Sequence, residues 1–523
     1  MIRVRQFKVS FLNDNEKHIK SKLKNILKTD IISYEIVKKS IDARGEILIV
    51  YTLDVTVLDE EKVLRNNKNK DIFLKPIEEY NFEITGTKKL DNRIVIVGSG
   101  PSGLLLGYML SKYGYKPIII ERGEKIEDRV KTVEKFWNDN LLNENSNVQF
   151  GEGGAGTFSD GKLNTLVKDK LFRGKKVFEI FVECGAPKEI MYEQKPHVGT
   201  DLLRNMVINL RNKIIDYGGE FRYNSKLTDL VIKNNKLEKI IINDNEELIT
   251  NNLFLAIGHS SRDTYELLNR RGIKMKSKPF AVGIRIVHKQ EDINKCLYKN
   301  NYKKLDNASY KLVYNTKDNR GVYSFCMCPG GYVVNASSEK NRLAINGMSN
   351  YNRDSGFSNS ALVVSVSEKD YGSELFDGVN FQRSLEETAY KLGKGKIPVQ
   401  KYIDFVNNVE SESIDNDSMI KGKYELVNLN MLLPNFISDS IKEAMPNFKK
   451  QISCFTNDDS LLLGIESRTS SPITILRNED GECNVTGIYP VGEGAGYAGG
   501  IVTAAMDGLK QAELFVKKYK PFE

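Results

Sequence analysis

The 523-residue sequence predicts an α/β fold: a Rossmann-type domain, discontinuous along the chain, an inserted β-rich α+β domain and a small N-terminal α+β module. Three observations predict it. From Arg93 the chain reads as buried strand "RIVIVG", glycine turn, apolar helix "LLLGYMLSKYG" and buried strand "KPIIIE", the pattern of a parallel nucleotide-binding unit. From about Lys278 to about Lys450 this alternation breaks into strand pairs such as "AVGIRIV", "GVYSFCMCPGGYVV" and "RLAINGM". The stretch "VTGIYPVGEGAGYAGGIVTAAMDG" (485–508) then returns to strand, glycine turn and helix.

Residues 1–90 come first. "IRVRQFKVSF" alternates, "EKHIKSKLKNILK" has helical period, and "GEILIVYTLDVTVL" is a long apolar strand, so strand–helix–strand order suggests a ferredoxin-like α+β module. Residues 91–277 open the Rossmann-type domain. Gly98, Gly100 and Gly103 form a G-x-G-x-x-G between strand and helix; Gly98 permits the tight turn, Gly100 lets a pyrophosphate approach the backbone, and Gly103 lets the helix sit close on the strand. Pro101 and Ser102 begin that helix, whose unpaired N–H groups and positive dipole end suit phosphate. The next strand ends in Glu121, placed to accept from ribose hydroxyls; Arg122 and Arg129 follow and join the cofactor-binding set. Further on, "FGEGGAGTFSDGKLNT" (150–165) holds five glycines between Gly151 and Gly161. So little side chain implies a backbone that something approaches closely. The insert is expected at 278–450, and the Rossmann-type domain is expected to resume at 451–523.

Composition narrows the class. The chain is 40% hydrophobic and 28% charged, long enough for two or three domains, and its apolar runs are far too short to span a membrane. The first residues are charged throughout without an apolar signal core, which reads as cytoplasmic. Six irregularly spaced cysteines fit reduced thiols, and four scattered histidines leave no metal-ligand spacing. A net charge of +8 is mild for this length.

The segments "FGEGGAGTFSDGKL", "KPHVGTDLLR", "AIGHSSRDT", "KPFAVGIRI", "GVYSFCMCPGGYVV", "GIESRTSSPI" and "GEGAGYAGGI" together resemble the uncharacterised FAD-dependent dehydrogenases of bacteria, the NAD(FAD)-utilising dehydrogenases of the glutathione-reductase-type flavoprotein superfamily. The resemblance runs from the N-terminal module to the last helix. It implies FAD and a glutathione-reductase-type fold, and brings no substrate with it. It further implies that the glycine run lies along the FAD pyrophosphate, ribityl chain and one ring edge, lined by Gly153, Gly154, Ala155, Gly156 and Thr157, with Asp160 and Lys162 reaching toward the ring or substrate. Ala256 and Gly258 fall in the turn that passes FAD, and Gly492, Glu493, Gly499, Gly500 and Ile501 close the site. Glu493 stands where Asp is commoner in the superfamily.

Reduced flavin carries negative charge near N1 and O2, so the helix beginning at Gly500–Ile501 is one stabiliser, and Lys162 a second. The cysteine pair of flavin disulfide reductases is missing: no cysteine lies between Gly98 and Cys184. Cys326 and Cys328, two apart on a strand, are expected on one face, either as small buried hydrophobes or lining the substrate cavity with Ser470 and Tyr497. His259 is a candidate acid–base group or a turn-fixing histidine, and His197 beside "KP" carries the same two readings. Arg468 among Glu466, Thr469, Ser470 and Ser471 suits a carboxylate or phosphate substrate, or braces a domain junction. Lys162, His259 and Arg468 are therefore the candidate catalytic residues. The function expected is hydride transfer between flavin N5 and a small organic molecule. With no second Rossmann unit, NAD(P)H, if used, binds transiently. The alternative is a flavoprotein acting on RNA, docking through Lys17, Lys20, Lys22, Lys24 and Lys28, although these spread over more than one helix face.

Overall fold

The structure, a computed structural model, describes every residue except Arg44, Leu166 and Glu523. The chain divides into two compact units, Met1–Asn81 with Lys162–His197, and Phe82–Gly161 with Val198–Glu523.

In the first unit, β1 (Ile2–Ser10), α1 (Glu16–Leu27), β2 (Ser33–Asp42), β3 (Leu48–Thr56), α2 (Glu60–Asn66) and β4 (Ile72–Leu74) follow in β-α-β-β-α-β order. They build an antiparallel sheet of order β2-β3-β1-β4. Alternation in β1 buries Val4, Phe7 and Val9 against Ile19, Leu23 and Leu53, and a bulge between Val4 and Phe7 keeps both sides of the irregularity facing the core. Asn15 caps α1 by accepting from the His18 N–H at 3.0 Å. Of the α1 lysines, Lys20 pairs with Glu16 at 2.7 Å, Lys24 with Asp30 at 2.5 Å, and Lys22 donates to the Lys8 carbonyl. Residues 162–197, expected inside the Rossmann-type domain, instead pack with this unit. Their backbone joins the β2 edge through Lys39 N–H to Tyr192 O (2.8 Å) and Gln194 N–H to Lys39 O (3.0 Å).

The second unit holds two large sheets and three small ones. β5 (Val95–Val97), α3 (Pro101–Lys112) and β6 (Ile118–Ile120) belong to a five-stranded sheet of order Ile488–Pro490, Leu253–Leu255, β5, β6, Glu220–Arg222, with every neighbour parallel. Strands buried on both faces need continuous apolar runs, which "VIV", "III" and "LFL" supply. The edge strand Ile488–Pro490 comes from almost 400 residues beyond β5 in the chain. α3 lies against the C-terminal helix Ile501–Val516 so closely that a Cβ on Gly508 would stand 2.4 Å from the Ser102 carbonyl. α4 (Ile126–Asp139) follows β6 and carries the sole tryptophan, Trp137, whose indole donates to the Asn335 carbonyl at 3.0 Å.

The second sheet has seven strands in the order Val313–Asn315, Gly321–Cys328, Phe357–Val366, Phe280–Lys289, Leu461–Glu466, Ile397–Lys401, Tyr424–Leu426, and all pairs but the last are antiparallel. Leu461–Glu466 lies centrally in this sheet, beyond the boundary expected near residue 450, because "LLLGIE" is buried throughout and satisfies its ladder only between two other strands. Among the described residues no helix is long and apolar enough to cross a membrane.

Candidate functional site

Three glycine turns meet in the second unit. After β5 the chain turns at Gly98, whose N–H donates to Ile120 O at 2.8 Å. A Cβ there would lie 2.3 Å from Ala256 O, and one on Gly103 would lie 2.0 Å from Gly98 O. The turn, α3 and the strand end at Ala256 are thus in backbone contact. The glycine run comes next. Gly153 N–H donates to Ser99 O at 2.9 Å, and Gly154, at φ +64°, brings its Cβ direction to 3.0 Å from the Gly100 Cα. At Gly156 a Cβ would stand 3.2 Å from the Ile501 side chain and 4.0 Å from Pro101. The loop therefore lies between the first residue of α3 and the first residue of the C-terminal helix. Neither helix has a side-chain N-cap: Gly100 and Gly500 occupy those positions. Two sets of unpaired N–H groups and two positive dipole ends approach one loop of small residues.

Two buried groups hold the loop's shape. Arg129, 0% exposed, donates to the carbonyls of Asn147 (2.9 Å), Val148 (3.1 Å), Gly151 (3.2 Å), Glu152 (2.6 Å) and Gly154 (3.0 Å). Burial pulls its guanidinium down to about 10, still charged at neutral pH. Gly151 is glycine for this reason, since a Cβ would lie 2.4 Å from the Arg129 Cδ. Glu121, 5% exposed, accepts from Ser99 N–H (2.9 Å), Ser99 Oγ (2.8 Å), Gly123 N–H (3.0 Å) and Gly151 N–H (3.1 Å). Both of its oxygens are thus filled by protein donors, so the acid expected at a ribose joins the first turn to the glycine loop. Arg122 forks Asp263 at 3.1 and 2.6 Å and lies 4.2 Å over the Phe150 ring, with its Nε buried and unpartnered.

The remaining expected residues divide into those near this convergence and those elsewhere. Ser102 faces Gly492, whose Cβ would meet its Oγ at 2.5 Å. Thr157 is fully buried and its carbonyl accepts from the Thr200 hydroxyl. Ala155 is partly exposed, and Gly258, Gly499 and Gly500 are open. The His259 Nδ1 lies 3.4 Å from Glu493 Oε1, and its Nε2 is buried with no hydrogen-bond partner. The turn carrying His259 is pinned by Tyr265, whose hydroxyl lies 2.7 Å from Gly494 O, 3.1 Å from Ser471 Oγ and 3.3 Å from Gly258 O. Asp160, expected at the ring or substrate, is 1% exposed and instead accepts from Ser349 and, at 2.8 Å, from Arg353. Lys162 belongs to the first unit, where its backbone bridges His197.

Arg468 is not available to a substrate anion. It forks Glu386 at 2.9 and 2.8 Å and donates to Ser260 at 3.2 Å and to Ser338. The same Glu386 is forked by Arg262 at 2.8 and 2.8 Å, and neither Glu386 nor the Arg262 side chain is more than 1% exposed. Burial opposes ionisation of Glu386, but the two guanidiniums outweigh it and hold its carboxyl well below the usual range. The bracing role of Arg468 wins because its partners face it from three segments at once. Cys326 and Cys328 do not share a face. A bulge after Phe325, with Cys326 at φ +44°, breaks the alternation ahead of the buried Cys328, while Phe325, still in regular register with Tyr323, is 38% exposed. Tyr497, also 38% exposed, lies under the Arg477 guanidinium at 3.7 Å, and Ser470 is partly exposed with no hydrogen bond among the described residues. Two supporting residues carried no local signal: Tyr265, and Asp507, which accepts from the Gly492 N–H at 2.8 Å and pairs with Arg477. Only long-range packing identifies them.

A family model described as "FAD binding domain" matches residues 91–133, one described as "FAD-dependent protein, C-terminal domain-like" matches 279–469, and one described as "Domain of unknown function (DUF8436)" matches 1–57. Among solved structures, the flavin-dependent brominase Bmp2 matches with TM-score 0.36 and 13% identity over 82% of this chain and 79% of that one. Glycine oxidase from Bacillus cereus matches with TM-score 0.35 and 9% identity over 82% and 96%, and L-proline dehydrogenase from P. horikoshii with TM-score 0.32 and 12% identity over 82% and 94%. A Clostridium beijerinckii protein, described as "Uncharacterized protein", is 47% identical over 532 residues, 99% of each chain. The chain belongs to the family of that clostridial protein, and carries an FAD-binding domain and an FAD-dependent C-terminal domain.

Proposed function

We propose that this chain is an FAD-dependent oxidoreductase of the glutathione-reductase type, acting on a small organic molecule, with the β-α-β-β-α-β unit as a ferredoxin-like appendage and the seven-stranded sheet as substrate domain. The observation that carries the reading is the meeting of the Gly98–Gly103 turn, the Gly151–Thr157 loop and the Gly499–Ile501 turn around two helix N-termini without side-chain caps. The residues fit a dinucleotide: Gly258, Gly499 and Gly500 leave open space at the convergence, and Arg122 Nε and His259 Nε2 are buried without partners. FAD bound there supplies two-electron chemistry at its ring. The N–H groups opening α3 suit its phosphates, and those opening the C-terminal helix offer positive potential to an electron-rich acceptor. His259 presents Nδ1 to Glu493, which selects the tautomer with the proton on Nδ1 and leaves Nε2 to receive a proton from substrate. Arg129 and Glu121 keep the loop in place. NAD(P)H stands as a transient donor, because the parallel sheet accounts for one nucleotide site. Three of the four α1 lysines are engaged within their own unit, which speaks against RNA docking.

The test is FAD retention in Gly154→Val, with Gly272→Val as control. Both glycines have positive φ, +64° and +76°, but only at Gly154 does a Cβ meet another backbone. Gly154→Val should be colourless and the control yellow. A yellow Gly154→Val protein would reject the cradle.

A further inference from the structure

A cavity of about 630 Å³ opens on the second unit between the seven-stranded sheet and Gly499, within the range of small-molecule sites. Gly499 directly precedes the residue that opens the C-terminal helix, and nothing lies within 4 Å of its Cβ direction. The cavity therefore adjoins the proposed cofactor site and shares Gly499 with it.

Its walls are aromatic. Pairing Tyr323 with Val363 and Phe325 with Ala361 sets both rings beside a strand of small side chains, and Tyr323 packs over Ala281, Ala361 and Val363. Phe280 also lines it, held by stacking on Tyr371 at 5.2 Å. Phe325 remains 38% exposed there. It stands in regular register with Tyr323, ahead of the bulge that displaces the cysteines, and burying such a ring on a ligand is favourable.

The charges lining the cavity cancel. Arg320 forks Asp370 at 3.0 and 2.7 Å, donates to Ser365 O at 2.8 Å, and lies 4.7 Å over the Phe436 ring. That leaves one cation, Lys369, and one anion, Asp318, both exposed. No converging, uncompensated cation waits for a carboxylate or phosphate, as an anion-binding site requires. The polar group on offer is the Ser470 hydroxyl, which makes no hydrogen bond among the described residues and lines the cavity alongside Gly499.

We infer that this cavity binds an uncharged planar aromatic molecule bearing a carbonyl, of the quinone or aryl-ketone class, with Tyr323 and Phe325 against its faces and Ser470 donating to its carbonyl oxygen. The inference rests on the proposed function only for its link to the cofactor; the binding itself is a property of the sheet.

The experiment uses purified full-length protein, its FAD content measured first. 2-Methyl-1,4-naphthoquinone, benzoate and NADH are titrated separately by calorimetry. The quinone should bind, and benzoate and NADH should bind at least tenfold more weakly. Phe325→Ala should lose about tenfold or more of quinone affinity, as truncation of an aromatic anchor does. Ser470→Ala should lose about threefold to tenfold, as loss of one hydrogen bond to a neutral group does. Lys369→Ala should stay within twofold. If Phe325→Ala does not fold by circular dichroism, Phe325→Leu serves and should still weaken the quinone. Absence of quinone binding overturns the inference, as does tighter binding of benzoate that Lys369→Ala abolishes. Quinone binding by a protein that neither contains nor takes up FAD would sink the proposed function and leave this inference standing.

Discussion

Glu386 offers the sharpest test of how the site is braced. It lies on the helix Asp377–Leu392 and takes five donors: two from Arg262, two from Arg468, and the Ser467 hydroxyl at 2.6 Å. Glu386→Gln preserves the shape, removes the charge and turns one acceptor into a donor facing a guanidinium. Arg262 then keeps Glu339 at 2.6 Å and Gln382 at 3.0 Å, while the nearest remaining anion to Arg468 is Glu339 at 4.0 Å. Breaking a buried pair costs about 3–5 kcal/mol. With Glu339 left to share between both arginines, about 3 kcal/mol is expected. Urea unfolding read by Trp137 emission measures it, since that single indole is 9% exposed and donates to the carbonyl of Asn335 at the end of the Tyr332–Asn335 strand. The pH dependence has a definite sign. The folded carboxyl is held below its ordinary value of 4.5, so its contribution is complete above that value and is lost as pH falls from there toward the folded value. The gap between parent and Glu386→Gln should accordingly narrow as pH drops below 4.5. A difference under about 1 kcal/mol at neutral pH, the level of a surface pair, or a gap that widens in acid would refute the reasoning.

The other predictions concern the loop, the proton and the thiols. Arg129→Lys replaces a guanidinium spread over five carbonyls with one ammonium, leaving buried acceptors unmet at about 1–3 kcal/mol each; FAD should be lost on gel filtration and the melting temperature should fall, and a parent-like yellow protein would count against the arrangement. His259→Gln should keep FAD but slow reoxidation of the dithionite-reduced protein by 2-methyl-1,4-naphthoquinone by about a hundredfold, the lower range for a lost acid–base group; a rate within twofold of the parent removes His259 from the chemistry. A Cys326→Ser, Cys328→Ser double variant should bind the quinone within twofold of the parent, because Phe325 rather than either thiol lines the cavity; a tenfold loss would return the cysteines to the site.

What could be read locally was the set of turns and buried strands. G-x-G-x-x-G between two apolar runs, the glycine-rich stretch 150–165 and the small-residue turn before the last helix each depend on backbone requirements that adjacent residues state outright. Their mutual approach was not local. Cys326 and Cys328 lose their common face because of one bulge, which depends on the pairing of Cys328 with Asn359 on a distant strand. Residues 162–197 leave for the first unit because β2 has an open edge, a property of a different stretch of chain.

The candidate residues divide along the same line. Glycines and helix starts at the proposed cofactor site follow from sequence alone, since the absence of a side chain and the beginning of a helix are written in the residues themselves. The tasks of the charged residues were decided only by tertiary structure. Arg468 with its serines and glutamate reads equally as an anion site and as a brace until Glu386 and Arg262 are seen packed against it. Glu121 and Asp160 likewise spend their oxygens on Ser99, Gly151, Ser349 and Arg353. A buried charge must find its partners wherever the fold brings them, and those partners lie tens to hundreds of residues away.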